Sequence, residues 1–203
     1  MPSVSAIAVS EGSGKNISTQ SRTISALTRD EQIFLPGEPF QVTYTAIARD
    51  ISIATSADHV LFVQADGTNI CRLVRMTIAQ STLAGAVGTA DFRLMRTTTA
   101  GSGGTTVNGR PFDDADTDPY GGTAQTLPTS KGTEGNQLLQ RRLGLVATNP
   151  MDARNLVEWL AGPRSKPILF GTATTKGLAV KIATGIATAK VDVELEFTVT
   201  TFV

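Results

Sequence analysis

The sequence predicts an all-β fold, either a β-sandwich or a jelly-roll-like domain. Short segments in which apolar and polar residues alternate with period two recur along the chain, and turn-forming residues separate them at fairly regular intervals. The chain contains 29 Thr, a β-branched residue that suits exposed strand positions. The alternation of strands and amphipathic helices that is typical of a parallel sheet is absent from the pattern.

The first 35 residues differ in composition from the rest of the chain. They are rich in Ser, Thr, Ala and Gly, and they show only weak periodicity. We expect an extended N-terminal arm at 1–35, because no strand or helix period is evident there. The β-sandwich is predicted for residues 36–203, a length sufficient for one domain with a sizeable core.

Four strands are predicted between residues 40 and 95. Apolar residues alternate with polar ones at 40–48 and at 90–95, and residues 60–63 form a short apolar run. A further strand places Val74, Met76 and Ile78 on one face. Asp66-Gly67 predicts a hairpin turn between the second and third strands, because both residue types tolerate positive φ. Four strands with short connections indicate antiparallel β structure.

Residues 97–137 interrupt this alternation. A Gly/Thr-rich tract is followed by an acidic cluster at 113–118 and by a Pro-Tyr-Gly-Gly sequence. About forty residues without periodicity are unusual in a compact domain and indicate a functional or interface loop. We therefore predict a long surface loop at 97–137 that becomes ordered on assembly.

The C-terminal half returns to strand patterns, with one ambiguity. Residues 149–163 fit a capped helix, but they also fit a strand at 156–160, which Trp and Val favour. Further strands are predicted at 167–170 and 178–182. The clearest pattern is the last one, in which apolar residues occupy 191, 193, 195, 197 and 199. Its polar face, which includes Asp192, Glu194 and Glu196, is expected to face solvent.

Composition excludes several kinds of chemistry. The formal net charge is zero, so there is no basic excess with which to bind nucleic acid. The single Cys71 excludes an internal disulfide framework, and the single His59 excludes His-pair metal sites and argues against a Ser-His-Asp triad. We expect Cys71 to be a small buried apolar group and His59 to lie at a strand edge. No cofactor is predicted.

Neither a secretory signal nor a membrane span is evident in the sequence. Residues 1–5 lack a basic region, and the longest apolar runs are far shorter than the ~20 residues that cross a bilayer. We therefore expect a protein made in the cytoplasm that does not bind membranes.

Two groups of residues are candidates for ligand binding. Asp114, Asp116 and Asp118 have the alternate spacing of a calcium loop, although Pro119 and Gln125 stand where such a loop has Gly and Glu. A solvated acidic loop is the alternative interpretation. Trp159 and Tyr120 could together form a platform on which a sugar stacks.

A family resemblance comes from loop and strand motifs between residues 40 and 203. The segment Phe-Arg-Leu-Met-Arg-Thr-Thr-Thr at 92–99 leads into a Gly/Thr-rich loop and then into Arg110-Pro111-Phe112-Asp113. This arrangement resembles small virion-associated proteins of tailed bacteriophages, in which Leu is usual at the position of Phe112. The order of the patterns at 157–159, 166–169 and 176–180 is similar too. The N-terminal 35 residues have no clear counterpart.

The resemblance implies a β-sandwich structural protein of the virion, such as a capsid decoration or cement protein, a class that commonly forms trimers. We therefore predict a non-enzymatic homotrimer that binds the major capsid protein, or another virion protein, through its arm and loop. A receptor- or glycan-binding fibre or spike module is the alternative, and a small polysaccharide-degrading lyase or hydrolase is the third hypothesis. The candidate interface residues are Phe34, Arg110, Phe112, Tyr120, Arg141 and Arg142.

Overall fold

The fold is all-β throughout the residues that the structure describes. This computed structural model describes residues 19–24, 27–32, 42–55, 58–117, 120–147, 156–162 and 168–200. Every regular element in these ranges is a strand. These ranges contain no helix that is long and apolar enough to cross a membrane. The chain divides into two units, Met1–Pro39 and Phe40–Val203.

The first unit contains a small antiparallel hairpin. Strands β1 (Thr19–Ile24) and β2 (Leu27–Gln32) pair along their full length, from Thr19 opposite Gln32 to Ile24 opposite Leu27. Part of the predicted arm therefore has regular backbone pairing. Residues 1–18, 25–26 and 33–35 of the arm lie outside the described residues.

The second unit is a sandwich of two antiparallel sheets. Sheet I has the strand order β11-β5-β14-β3-β8, and β12 pairs with β5 beyond the end of β11. Its strands are β3 (Val42–Ser52), β5 (Ile70–Thr82), β8 (Arg110–Pro111), β11 (Leu156–Leu160), β12 (Ile168–Gly171) and β14 (Lys190–Thr200).

Sheet II has the strand order β10-β6-β13-β4-β9-β7. Its strands are β4 (His59–Gln64), β6 (Gly88–Thr97), β7 (Thr105–Thr106), β9 (Thr123–Thr126), β10 (Glu134–Leu145) and β13 (Gly177–Thr184).

The strand order is that of a jelly roll. The four shortest strands are β7, β8, β9 and β12, and without them the sequence-ordered strands are β3, β4, β5, β6, β10, β11, β13 and β14. When these eight strands are numbered from 1 to 8 in chain order, sheet I has the strand order 6-3-8-1 and sheet II has the strand order 5-4-7-2. Consecutive strands thus alternate between the sheets, except that the fourth and fifth are neighbours in sheet II; this is the arrangement of a jelly roll. The predicted fold class is confirmed.

The core lies between the sheets and follows the predicted alternation. Side chains at every second position point inward because strand side chains alternate between faces. Strand β6 contributes Ala90, Phe92 and Leu94, and β14 contributes Val191, Val193, Leu195 and Phe197, all buried. The alternative of a helix at 149–163 is wrong for 156–160, which form β11; residues 148–155 and 163–167 lie outside the described residues.

The predicted hairpin at Asp66-Gly67 is wrong. The turn itself exists: Gly67 has φ 88°, and the Asp66 carboxylate accepts hydrogen bonds from the backbone N–H groups of Thr68 and Asn69, both at 2.8 Å. However, β4 belongs to sheet II and β5 to sheet I, so the turn carries the chain across the sandwich. A two-residue turn signal identifies a reversal in direction but does not identify the strand's partner.

The prediction that Val74, Met76 and Ile78 share one face of β5 is also partly wrong. The pairing with β14 shifts register between Glu196 and Phe197, where Val74 is an additional residue on β5. The buried positions are therefore Cys71 and Leu73 before this bulge, and Met76 and Ile78 after it. A bulge adds one residue to one strand and so reverses which face the next residues occupy.

The segment predicted as a surface loop at 97–137 is largely integrated into the sandwich. It supplies β7, β8 and β9 to the sheet edges and begins β10. Two of the parts between these strands, 98–104 and 127–133, pair with each other, and we call them the flap. Ser102 and Ser130 exchange two backbone hydrogen bonds of 2.8 and 3.0 Å, and Thr98 N–H donates to the Thr133 carbonyl at 2.9 Å.

Candidate functional site

A short loop at the edge of sheet I presents an exposed aromatic residue. Phe112 follows β8 directly, and 61% of its surface is exposed. Its backbone N–H donates to the Thr43 carbonyl of β3 at 2.9 Å. On the far side of the loop, the Tyr44 hydroxyl donates to the Thr117 carbonyl at 2.9 Å. The loop at 112–117 is therefore held at both ends while its aromatic ring faces solvent.

The acidic residues after Phe112 form a turn within this loop. The Asp113 carboxylate accepts a hydrogen bond from the Ala115 N–H at 3.0 Å, and the Asp113 carbonyl accepts one from the Asp116 N–H at 3.1 Å. Asp114 is exposed and Asp116 is half-buried, whereas Asp118 lies outside the described residues. Among the described residues, no cluster of three or more metal-ligating side chains occurs. The loop is thus a solvated acidic turn in its described part.

Tyr120 was predicted as an interface residue, and the structure contradicts this. Its side chain is buried, and its ring packs 5.2 Å from Tyr44 and 4.9 Å from Phe197, between ring centroids. The hydroxyl lies 3.0 Å from Sγ of Cys71, which is buried as predicted. The proposed sugar platform is wrong as well, because a buried Tyr120 cannot stack on a ligand beside Trp159.

The buried Cys71 and Tyr120 are both poor acids in the fold. Burial raises the pKa of the Cys71 thiol to about 11, although the hydrogen bond with Tyr120 acts in the opposite direction. Burial also raises the pKa of the Tyr120 hydroxyl. Both groups therefore stay protonated near neutral pH and act as core residues with a polar link.

The remaining predicted interface residues lie at separate places. Arg110 is exposed on β8 beside Phe112. Arg141 and Arg142 lie on β10, at the edge of sheet II, and Arg141 donates to the Gln140 carbonyl at 2.9 Å. In the described part of the chain, Arg141 and Arg142 form no ion pair with a carboxylate. Phe34 lies outside the described residues. The structure therefore brings Arg110 and Phe112 together and leaves the arginine pair on another edge.

A buried polar cluster lies on sheet II, and the sequence did not predict it. His59 was expected at a strand edge, but it is fully buried on β4, next to β13 in the sheet. Its Nε2 lies 3.0 Å from Oε1 of Glu134, and the Nζ of Lys181 donates to Oε2 of the same carboxylate at 2.7 Å. Lys131 and Asp58 form an adjacent ion pair at 2.8 Å.

The charge states in this cluster follow from burial and hydrogen bonding. Burial lowers the pKa of His59, and this outweighs the opposing influence of the Glu134 carboxylate. Burial alone would raise the pKa of Glu134, but hydrogen bonds from Lys181 and His59 lower it overall. Near neutral pH the cluster therefore holds a neutral imidazole, which donates from Nε2 to an ionised Glu134.

The polar face of β14 is less exposed than predicted. Asp192 and Glu194 are half-buried, but Glu196 is buried to 9% exposure beneath an ion pair with Arg75, which also lies 3.7 Å from Glu158. These charges face the solvent side of sheet I. Neighbouring strands shield them because β14 lies in the middle of the sheet. The alternation along β14 correctly predicted which residues face the solvent side of sheet I, but these residues are less exposed than we expected.

The chain was compared with models of protein families, with curated proteins and with solved structures. No family model, no curated protein and no solved structure matches it. The phage resemblance therefore stays a prediction.

Sequence reasoning missed the His59 cluster because its members are far apart in the chain. Glu134 is 75 positions from His59 and 47 from Lys181. Only the folded sandwich, with the segment 127–133 running from His59 to Thr98, brings them to one place. The available signal was local and weak: a lone His directly before the apolar run 60–63, at the start of a strand that is buried along nearly its whole length.

Proposed function

We propose that the protein is a non-enzymatic structural component of a bacteriophage virion that decorates the head by binding the major capsid protein. The observation that carries the proposal is the exposed ring of Phe112 on a loop whose two ends are fixed to sheet I. An aromatic anchor on a preorganised loop is typical of interface hot spots, because little entropy is lost on binding.

The fold supports this proposal by analogy only. Jelly rolls occur in viral capsid proteins and also in lectins, and one fold hosts many functions. The alternative, a glycan- or receptor-binding fibre module, had Tyr120 as part of its expected platform. Tyr120 is buried, so that platform loses one of its two aromatic residues, and we favour decoration.

The first test measures binding to purified phage heads that lack the protein. We expect Phe112→Ser to weaken co-sedimentation with the heads at least about tenfold, because loss of a hot-spot aromatic costs more than about 1.4 kcal/mol. Leu160→Ser is the matched control: Leu160 is exposed to 62%, like Phe112 at 61%, but it lies on β11 at the opposite edge of sheet I. Equal binding of wild type and Phe112→Ser would contradict the use of this loop.

The second test measures the copy number of the protein in purified particles by quantitative mass spectrometry. A decoration protein should occur in a fixed, high ratio to the major capsid protein. A handful of copies would favour the fibre or spike alternative, and complete absence from particles would overturn the virion proposal. Mass measurement of the free protein tests the expected homotrimer separately.

A further inference from the structure

The flap covers an apolar strip on the outer face of sheet II. Phe62, Ala179 and Met95 are register partners on β4, β13 and β6, and they alternate with inward residues of the core. They therefore point away from the core, toward what would be solvent. Nevertheless Phe62 and Ala179 are fully buried and Met95 is 9% exposed. Sheet II thus has a second apolar layer on its outer side.

The contact between flap and strip is close at a glycine. A Cβ added to Gly101 would lie 3.6 Å from Cδ1 of Phe62 and 3.5 Å from Cβ of Pro128. Gly101 and Pro128, one on each part of the flap, are both buried. The flap therefore lies directly over the Phe62 ring, and its small residues allow the backbone to approach the sheet.

The His59 cluster joins the flap to the sheet at one end. The Leu127 N–H of the flap donates to the His59 carbonyl at 3.1 Å, and Lys131 of the flap forms its ion pair with Asp58. Glu134, which contacts both His59 and Lys181, is the first residue of β10 and directly follows the flap. Leu127, Lys131 and Glu134 thus each contact Asp58 or His59.

A proton added to His59 would have no acceptor in the closed structure. Nε2 already donates to Glu134, and Nδ1 is buried without a hydrogen-bond partner. The charged groups around the ring are Asp58 on its own segment, Lys131 of the flap, Glu134 of β10 and Lys181 of β13. Arg93 of β6 lies one strand further, paired with Lys181. An imidazolium would add a third cation to a group that has two carboxylates.

We propose that the flap is an acid-opened cover: when His59 takes up a proton, residues 98–104 and 127–133 detach from sheet II while the core between the sheets stays folded. Opening hydrates Nδ1 and separates Lys131 from the new positive charge. It also exposes the strip of Phe62, Ala179 and Met95. This inference does not depend on the proposed role in the virion.

The direction of the pH effect follows from linkage. The pKa of His59 is lower in the closed state than its ordinary value of 6.5, which the open state restores. Closure of the flap is therefore fully stabilised above about pH 6.5. Below that value, the equilibrium constant for closure falls by up to about tenfold per pH unit. Protonation of Glu134 acts in the same direction, but only near and below its ordinary value of 4.5. The interval between these values isolates His59.

The experiment is hydrogen exchange of the full chain, followed by mass spectrometry at about pH 7.5, 6.5 and 5.5 with exchange times corrected for intrinsic rates. We expect protection of flap peptides to fall by up to about fivefold between the two lower pH values and by up to about tenfold over the whole interval. Peptides from β14 should keep their protection. The matched variant is His59→Gln, whose side-chain amide can still donate to Glu134 but does not titrate. It should show no pH dependence in the flap.

Two outcomes would overturn the proposal. One is an equal pH response in wild type and His59→Gln; the other is loss of protection in β14 together with the flap, which would mean global unfolding. If His59→Gln does not fold, an NMR titration of the wild type decides, because the chain has a single histidine. An imidazole that titrates at or above its ordinary pKa in the folded protein would refute the mechanism.

Discussion

The two apolar layers of the molecule are closed in different ways. The layer between the sheets is bounded on both sides by long paired strands and is built from aliphatic and aromatic side chains. The layer outside sheet II is bounded on one side by the flap, which has few backbone pairs of its own and ends at a cluster of charges. Burial alone does not distinguish them, since Phe62 and Phe197 are both fully buried.

The difference teaches that equal burial does not mean equal stability. A residue in the inner layer becomes exposed only if the sheets separate, which is global unfolding. A residue in the outer layer becomes exposed if the flap lifts, which breaks a small number of contacts. Local opening of such segments costs less free energy than global unfolding. Substitutions in the two layers should therefore differ in their effect on stability.

The largest effect is expected for Phe197→Ala. The Phe197 ring stacks near Tyr44 at 5.9 Å and meets Tyr120 and Phe170 edge-on at 4.9 and 5.9 Å. Removing it should lower the free energy of unfolding by about 4 kcal/mol, because a cavity remains between two rigid sheets. Chemical denaturation measures this value. Phe112→Ala is the control and should change the free energy of unfolding by less than about 0.5 kcal/mol, since that ring is exposed.

A smaller loss is expected for Phe62→Ala. This substitution also removes a phenyl ring that is as fully buried as that of Phe197. Because the flap can collapse onto the space, the free energy of unfolding should fall by only about 2–3 kcal/mol. Hydrogen exchange should show faster exchange in flap peptides and unchanged exchange in β14. If Phe62→Ala costs as much as Phe197→Ala and loosens β14 equally, the two layers are one cooperative unit and the contrast fails.

The sequence predicted the inner layer well and the outer layer not at all. Alternation at 90–95 and 191–199 located the inward rows of β6 and β14, because strand periodicity is a local property. The same alternation places Met95 on what should be a solvent face, and the continuous apolar run 60–63 does not distinguish Phe62 from its inward neighbours. The burial of Met95 and Phe62 depends on a segment that returns to the sheet from residues 98–133, and no local pattern encodes that return.

The candidate site was likewise predicted only in part. Phe112 was identified from its loop context, and its exposure agrees with an interface role that stays a prediction. Tyr120 was misjudged because the surrounding Pro and Gly residues indicate a turn, while the burial of its ring depends on Tyr44 and Phe197, which are more than 70 positions away. The Val74 bulge likewise has no signature in the residues around it.

An intermediate effect is expected when a flap glycine gains a methyl group. A Cβ at Gly104 would overlap the Thr126 carbonyl and lie 3.0 Å from Cα and N of Pro128, all of them backbone atoms. Gly104→Ala should therefore destabilise the protein by about 1–2 kcal/mol and increase exchange in the flap. Gly144→Ala is the matched control on β10, where nothing lies within 4 Å; it should be neutral or slightly stabilising. Similar values for the two variants would show that the flap has no tight contact there.

The smallest effect concerns the polar link within the inner layer. Tyr120→Phe removes the hydroxyl that lies 3.0 Å from Sγ of Cys71, and it should lower the free energy of unfolding by about 1 kcal/mol. The thiol should nevertheless stay unreactive toward a disulfide reagent at mildly alkaline pH in both proteins. Burial is the larger cause of its raised pKa of about 11, and the lost hydrogen bond had acted to lower that value.

Labelling of Cys71 should then proceed only through unfolding, so its rate should rise with denaturant in parallel with global unfolding. Rapid labelling of native Tyr120→Phe would show that the hydroxyl keeps the inner layer closed around the thiol. In that case the inner layer would resemble the outer one, whose closure rests on a few polar contacts. Slow labelling would confirm that packing between the two sheets closes the inner layer without help from its single polar link.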